Sequence, residues 1–249
     1  MTHTLYYGEP NGPSLAVLAA LFETNIEADL ERIDLVAGER HSSRVPRSRE
    51  VDYSIEGEGP VLVAGGTAMA DSVFIACYLD EVGSGTPLRP TDPYERWEMM
   101  AWCRWVIERI APAAAYIGVK SAPPARVPDG VVSVDLADRW RQAVSGDFDE
   151  AKLADSRAKI GQATDKVEEQ LADGRAWLMR DFSIADLETY AWLAGMPALV
   201  PEAFDGRTRT IAWLEQVKTR RSVVRALSLA TVDAPERVWA PGPEINRWG

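Results

Sequence analysis

Residues 59–72 read GPVLVAGGTAMADS, and this stretch decides the fold more than any other part of the chain. Val61 to Ala64 predicts a strand led by a proline, Gly65-Gly66 a hairpin turn, and Thr67 to Met69 the partner strand. The hairpin runs into Asp71-Ser72, an acidic-hydroxyl pair of the kind that opens a helix. A helix N-terminus attracts anions, so the stretch predicts a small-molecule site built from main-chain groups and helix start.

The sequence on both sides of this hairpin predicts an α/β unit. Thr4 to Tyr7 has strand composition, a helix follows the turn at 8–13, and 28–35 has the alternation of a second strand. Residues 38–59 are polar and predict a loop or a weak short helix. Apolar residues at helical spacing predict the buried faces of the two helices: Leu15, Leu18, Ala19 and Phe22 in the first, and Phe74, Ile75, Tyr78, Leu79 and Val82 in the second.

The remainder of the chain is helical in pattern. Residues 83–93 are rich in proline and glycine and predict a linker. We therefore expect an α/β domain at 1–82, the linker at 83–93 and an all-helical domain at 94–249. Helices are predicted at 94–116, 134–144, 151–171, 208–217 and 222–229. A further helix is predicted to begin at Ser183, which forms a capping box with Asp186. A Pro-rich break is predicted at 121–130 and an irregular tail from 231.

Composition excludes several classes of function. The 249 residues carry a net charge of −11, which argues against a nucleic-acid surface. His3 and His41 are the only histidines, so a Ser-His-Asp triad and a zinc site lack their ligands, and Cys77 and Cys103 have the apolar neighbours of buried thiols. No run approaches the roughly 20 apolar residues of a membrane span, and we expect a cytoplasmic protein. A bound cosubstrate is expected to supply the reactive group.

Three motifs, in this order and spacing, carry a resemblance to a known family. Gly59-Pro60-Val61-Leu62 resembles a cis-proline strand, 71–81 (DSVFIACYLDE) resembles an acidic-Ser helix, and Phe182 to Asp186 resembles the capping box of a bundle helix. Together they resemble a cytosolic glutathione transferase, with a thioredoxin-like N-terminal domain and an all-helical C-terminal domain. Residues 5–26, and 87–93 leading into a Trp-rich helix, resemble the bacterial β-etherase type, which uses glutathione to break aryl ethers derived from lignin.

The resemblance implies a glutathione site. The backbone at Gly59, Pro60 and Val61 would bind the cysteinyl main chain of glutathione beside a cis-proline. Ser72 would receive the γ-glutamyl carboxylate, and Asp71 would pair with the amine. Two other readings stay open: Pro60 as an ordinary start of an edge strand, and Asp71 as a helix N-cap only.

The same resemblance implies a hydroxyl donor to the glutathione thiolate at the start of the first helix. Ser14 is the first candidate, and Asn11 is the second, with Ser14 then only a helix-start residue. A charge-assisted hydrogen bond of about 1.5–3 kcal/mol, with a helix terminus adding about 0.3–1 kcal/mol, is enough to lower a thiol pKa by two units. Tyr7, at the end of the first strand, is a further candidate that would instead line the acceptor pocket or pack in the core.

An aromatic acceptor would lie between the two domains. Trp102, Trp105 and Tyr116 on the long helix are the candidate contacts, although aromatic residues at helical spacing are also typical of a core. The chain has nine tryptophans, which leaves a stacking surface open.

One segment departs from the family pattern. The family carries an Asn-Pro run before its proline strand, whereas 45–55 here reads VPRSREVDYSI, and Gly59 stands where valine is usual. We therefore keep a second hypothesis, a non-catalytic subunit of the same fold that stabilises or completes a heterodimer. The family resemblance itself implies a dimer, as homodimer or heterodimer. A thiol-disulfide oxidoreductase would need a cysteine near 11–14, and none is there.

Overall fold

The computed structural model describes residues 2–47, 54–121, 129, 131 and 133–243. Within the first of the two predicted domains, the chain runs through strands and helices in the order of a thioredoxin-like unit. Its elements are β1 (His3–Tyr7), α1 (Gly12–Glu23), β2 (Asp29–Arg32), a 3-10 turn (Glu39–His41), β3 (Val61–Ala64), β4 (Thr67–Met69) and α2 (Ser72–Val82).

The sheet has the order β2-β1-β3-β4, with β2 parallel to β1 and the other pairs antiparallel. Gly65 and Gly66 both have positive φ, which is the geometry of the predicted two-residue hairpin turn. The fold class predicted from the sequence is confirmed in this half. The second strand is shorter than the predicted 28–35. Beyond it, the Ile33 N–H still donates to the Tyr7 carbonyl (2.9 Å), and Ile33 packs in a small buried cluster with Leu35 and Val61.

The second half is helical, as predicted. Its elements are α3 (Pro93–Trp105), a π-helical turn (Val106–Ile110), α4 (Ala111–Ser121), α5 (Val134–Ser145), α6 (Glu150–Gln170), α7 (Ile184–Leu193), α8 (Met196–Leu199), a 3-10 turn (Pro201–Phe204), α9 (Thr208–Lys218), α10 (Arg221–Leu227) and a 3-10 turn (Pro235–Arg237). The capping box of α7 is present between Ser183 and Asp186. Most of the predicted break at 121–130 lies outside the described residues.

The long helix that begins at Pro93 passes through Pro112 and ends at Ser121, a little beyond the predicted end near Tyr116. Proline in a helix interior removes one N–H donor and crowds the carbonyl four residues earlier, here that of Glu108. The π-helical turn Val106–Ile110 contains that carbonyl, and a widened turn of this kind accommodates the ring.

One buried core joins the two halves of the molecule. Leu18 of α1 and Ile75 of α2 belong to the same apolar cluster as Leu187 of α7 and Val223 of α10. Two residues predicted on the buried face of α2 are exposed instead: Phe74 is 62% and Val82 47% accessible. The division at 1–82, 83–93 and 94–249 stays a prediction, because the shared core does not separate the halves.

Residues 231–243 form a segment that we call the C-terminal strap, and they lie across the start of α1. The Asn11 side-chain amide donates to the carbonyls of Pro235 (3.0 Å) and Val238 (3.1 Å). Ala240 comes so close to Gly12, which has φ +45°, that a Cβ there would lie 2.8 Å from the alanine methyl group. The strap therefore covers the junction between β1 and α1.

Candidate functional site

The β1–α1 junction places Ser14 in the first turn of α1, as the sequence predicts. Ser14 is 1% exposed, and its Oγ accepts a hydrogen bond from the backbone N–H of Gly8 at 3.0 Å. Its hydroxyl proton is therefore left to donate to another acceptor. Asn11, the N-cap residue by position, makes no side-chain cap and points its amide at the strap. Tyr7 lies 6% exposed within the main core, where burial raises its pKa.

The residues that lead into β3 differ from the prediction at the Gly59-Pro60 peptide bond. The Gly59-Pro60 peptide is trans, so the expected cis-proline is wrong in this structure. The Gly59 N–H donates to the Glu56 carbonyl (2.8 Å), and the Gly59 carbonyl accepts from Nη1 of Arg40 (2.9 Å). Val61 pairs with Tyr6 across the sheet. The main-chain groups of Gly59 that were expected to meet a ligand are thus bonded within the chain, because residues 54–59 fold back over Arg40.

Asp71 adopts φ 67° and ψ 117°, a conformation that a non-glycine residue rarely takes. It occupies the N-cap position of α2 but makes no cap hydrogen bond with its side chain. Its Oδ1 instead accepts from Ser54 Oγ (2.6 Å) and from the Glu56 N–H (3.2 Å). Asp71 therefore holds residues 54–56 against the start of α2.

Ser72 binds a carboxylate of the chain itself. Its backbone N–H donates to Glu56 Oε2 (2.5 Å) and its hydroxyl lies 2.8 Å from Glu56 Oε1. The same hydroxyl lies 3.0 Å from Oε2 of Glu188, which α7 brings in from the helical half. Glu188 Oε1 in turn accepts from Trp192 Nε1.

These carboxyl groups are buried and perturbed. Burial, then the nearby charges of Glu188 and Asp71, raise the pKa of Glu56 to about 8. Burial likewise raises the pKa of Glu188 to about 7. Perturbed, buried carboxyls beside a cavity mark a candidate functional site.

A small cavity of about 130 Å³ opens beside Ser72, lined by Glu56, Asp71, Phe74 and, from the long helix, Arg104 and Glu108, among others. Ligand pockets usually measure about 300–1,000 Å³. The cavity at the start of α2 is therefore smaller than a usual ligand pocket, and Glu56 forms part of its wall.

The predicted aromatic contacts do not meet at this cavity. Trp102 donates from Nε1 to Thr189 (2.9 Å), packs edge-on against Trp105, and the Lys166 ammonium lies over both rings. Among the described residues, both tryptophans line a groove of about 720 Å³ formed by the helical half, and their place between the domains stays a prediction. Tyr116 lies elsewhere, buried edge-on against Phe148, with a hydroxyl that has no hydrogen-bond partner among the described residues.

Sequence reasoning missed Glu56, Glu188 and Arg40. Glu188 had a signal, since it is a glutamate in the middle of α7, a largely apolar stretch (IADLETYAWL). Glu56 and Arg40 had none, because both stand in a polar segment without periodicity. Across the described residues, no cluster of three or more His, Cys, Asp or Glu side chains is arranged to hold a metal ion. No helix in that same part of the chain has both the length and the apolar character needed to cross a lipid bilayer.

Comparisons with known proteins agree with this architecture. The chain is 28% identical to Protein LigF of Sphingobium sp. strain SYK-6 over 244 residues, which covers 90% of this chain and 92% of that protein. The crystal structure of the β-etherase LigF superposes with a TM-score of 0.80 at 26% identity, covering 92% of this chain and 99% of that one. The chain is therefore similar to glutathione transferases in sequence and in fold.

Two further likenesses extend across the superfamily. Glutathione S-transferase U4 of Arabidopsis thaliana is 36% identical over 55 residues, or 22% of this chain and 25% of that protein. Glutathione transferase F7 of Populus trichocarpa shares the fold, with a TM-score of 0.65 at 23% identity over 91% of this chain and 99% of that one. No family model matches the sequence. The resemblance to glutathione transferases predicted from three short motifs is confirmed.

Proposed function

We propose that this protein is a glutathione transferase that acts on aromatic electrophiles and cleaves β-aryl ethers of the kind derived from lignin. The observation that carries the proposal is the likeness to the β-etherase LigF, in sequence and in structure, over about nine-tenths of both chains. The glutathione thiolate would attack the carbon that bears the aryl ether oxygen. A C–S bond forms, the C–O bond breaks, and the aryl group leaves as a phenolate that takes a proton from water.

Ser14 is proposed to stabilise the thiolate. Its Oγ already accepts from Gly8, so its own proton is left to donate, and the N-terminus of α1 adds a favourable dipole. Ser72 and the start of α2 are proposed to bind the γ-glutamyl carboxylate, and Asp71 the amine. Gly59, Pro60 and Val61 keep their proposed place beside the cysteinyl main chain, which requires the Gly59 groups to exchange their present partners.

The experiment measures turnover of glutathione with a β-aryl ether model compound. We expect Ser14→Ala to lower kcat by roughly 10- to 100-fold, the equivalent of one charge-assisted hydrogen bond. Ser145→Ala, at an exposed serine of α5, serves as the matched control and is expected to leave kcat unchanged. Equal turnover in wild type and Ser14→Ala would remove Ser14 from the thiolate site, and Asn11→Ala would then be measured in the same way.

A second candidate function is a non-catalytic subunit of the same fold. It is favoured by the Glu56 carboxylate at Ser72 and by the bonded backbone of Gly59, both of which fill positions proposed for glutathione. A catalyst is retained on immobilised glutathione and turns over alone. A non-catalytic subunit elutes freely and shows activity only when mixed with a partner chain of this fold.

The proposed dimer has a candidate face on α2 and α3. Phe74, Tyr94 and Trp97 are 62%, 65% and 61% exposed, and α2 packs on α3 through Cys77 and Met100. Large exposed aromatic residues on adjoining helices are typical of an interface. Light scattering after gel filtration is expected to give twice the 27.4 kDa chain mass for the wild type and the single mass for a Phe74→Glu, Trp97→Glu variant. Ile211→Glu, at an exposed apolar site on α9, is the control and should remain dimeric.

A further inference from the structure

The Glu56 side chain binds Ser72 in the way a free carboxylate binds a helix N-terminus. One oxygen accepts from the first backbone N–H of α2 and the other lies within hydrogen-bond distance of the Ser72 hydroxyl. Backbone N–H groups and the dipole at a helix start favour negative charge. The structure thus shows a carboxyl group at the position, with the chain itself as its source.

The Ser72 hydroxyl has a single proton but lies within 3.0 Å of carboxyl oxygens from both Glu56 and Glu188. It can donate to only one of them. The other contact is a favourable hydrogen bond only if its carboxyl group carries a proton and donates it to Ser72 Oγ. Two buried carboxyl groups around one hydroxyl therefore share a proton, in agreement with their raised pKa values.

We propose that Glu56 is a displaceable internal ligand, and that a substrate carboxylate binds at Ser72 only after Glu56 has left it. This inference rests on the proposed function, since it takes the γ-glutamyl carboxylate of glutathione as the competitor. It adds to that function that Glu56 and the substrate carboxylate compete for the same backbone N–H and hydroxyl of Ser72.

The position of Glu56 in the fold makes this movement feasible. Residues 54–60 belong to no helix or strand, so moving Glu56 breaks no ladder of backbone hydrogen bonds. Glu56 and Ser72 both line the 130 Å³ cavity, and Ile55, another of its lining residues, is 37% exposed. Withdrawal of the Glu56 side chain would join its own volume to that cavity, directly in front of the Ser72 N–H.

Displacement of Glu56 is linked to pH. In place, its pKa is raised to about 8, whereas in water a glutamic acid has a pKa of about 4.3. A carboxyl group that leaves the site between these values releases a proton, so displacement becomes easier as pH rises from 5 to 8. The charged or titratable groups that face Glu56 or line its cavity are Glu188 on α7, Asp71 at the start of α2, Arg40 at the 3-10 turn, and the ion pair of Arg104 and Glu108 on the long helix.

The test is calorimetric titration of the full chain with reduced glutathione at pH 6, 7 and 8. We expect Glu56→Ala to bind at least tenfold more tightly than the wild type at pH 6. Glu56→Gln, which imitates the protonated acid and stays in place, is expected to bind weakly at every pH. As the pH rises, the affinity of the wild type for glutathione is expected to increase by up to tenfold per pH unit more than the affinity of either variant does.

Glu58→Gln is the matched control, because Glu58 is a buried glutamate two residues away whose carboxylate pairs with His41 and not with Ser72. It is expected to bind glutathione as the wild type does. Circular dichroism and thermal unfolding check that each variant is folded, and if Glu56→Ala does not fold, the loss of the pH trend in Glu56→Gln remains the deciding measurement.

The outcomes separate this inference from the proposed function. One outcome is that the wild type binds glutathione as tightly as Glu56→Ala does, and with the same pH dependence as Glu56→Gln. This outcome would contradict the internal ligand but not the proposed transferase activity. Binding only after Glu56 is removed supports both. Absence of binding in the wild type and in every folded variant overturns both.

Discussion

Arg40 is a buried cation that organises the segment in front of the candidate site. It is 4% exposed, and its Nη1 donates to the carbonyls of Glu56 and Gly59. These contacts hold residues 56–59 as a turn and present the Glu56 side chain to α2. Arg40, in the 3-10 turn, thus helps to fix the fold of residues 56–59.

We predict that Arg40→Ala lowers the free energy of unfolding by about 2–4 kcal/mol, because two buried carbonyls lose a charged donor. Urea denaturation measures the change. Arg44→Ala is the control, since Arg44 is half exposed and pairs with the surface residue Glu39, and it is expected to change the free energy of unfolding by no more than about 1 kcal/mol. A change of similar size in both variants would contradict a structural role specific to Arg40.

At the scale of elements, the strap of residues 231–243 is fixed to α1 by few polar contacts. Asn11 supplies two of them, and Thr231 is bonded to Glu9 at the other end of the same loop. Arg237 lies between the two carbonyls that Asn11 binds, and it is exposed. Release of the strap can therefore be detected by limited proteolysis with a protease that cuts after arginine.

We predict that Asn11→Ala increases the rate of tryptic cleavage after Arg237 several-fold, since loss of two buried hydrogen bonds weakens the closed position. Asn11→Asp is expected to have a larger effect, because a carboxylate next to two carbonyl oxygens is repelled. Mass spectrometry of timed digests identifies the cut. An unchanged rate at Arg237 in both variants would show that contacts other than those of Asn11 hold the strap.

Local patterns in the sequence were sufficient for most elements. The alternation in 61–69, the two glycines of the hairpin and the capping box at Ser183 are each read from a few neighbouring residues, and each is present in the structure. Helical periodicity also placed Phe74 on a common face with Ile75, but periodicity does not say what covers that face. Phe74 is exposed for this reason.

The candidate site depended on contacts that no local pattern encodes. The carboxyl groups around Ser72 come from 16 and 116 residues away along the chain. Their identity follows from how the two halves pack, and so does the placement of Trp102 and Trp105 in a groove of the helical half. Motif resemblance found Asp71 and Ser72 but could not show which groups they bind.

For the whole molecule, buried acids make stability depend on pH in an unusual direction. Burial, ahead of other causes, raises the pKa of Glu56 to about 8, Glu188 to about 7 and Asp186 to about 6. A carboxyl whose pKa is raised on folding contributes stability below its unfolded pKa, near 4, and loses that contribution as pH rises through its folded pKa. Glu23, Glu39 and Glu168 have lowered pKa values, and their contribution is lost only when the pH falls below about 4.5.

We therefore predict that the wild-type Tm falls as pH rises from 6 to 8. In Glu56→Gln, the amide does not ionise, so the decrease over this range is expected to be smaller. Differential scanning calorimetry at constant ionic strength measures both curves. A wild-type Tm that rises over this range, or the same slope in the variant, would contradict the prediction.

The strap has a consequence for how the protein is made. Asn11 and its partner Pro235 are 224 residues apart, so at roughly 5–20 residues per second a ribosome needs about 10–45 s to synthesise the chain between them. During that interval the start of α1 lacks its cover, and Ser72 lacks its contact with Glu188 until residue 188 has been added. The β1–α1 junction is thus covered only after residues 231–243 have been made, and a chain arrested before residue 231 would emerge with the start of its first helix still open to solvent.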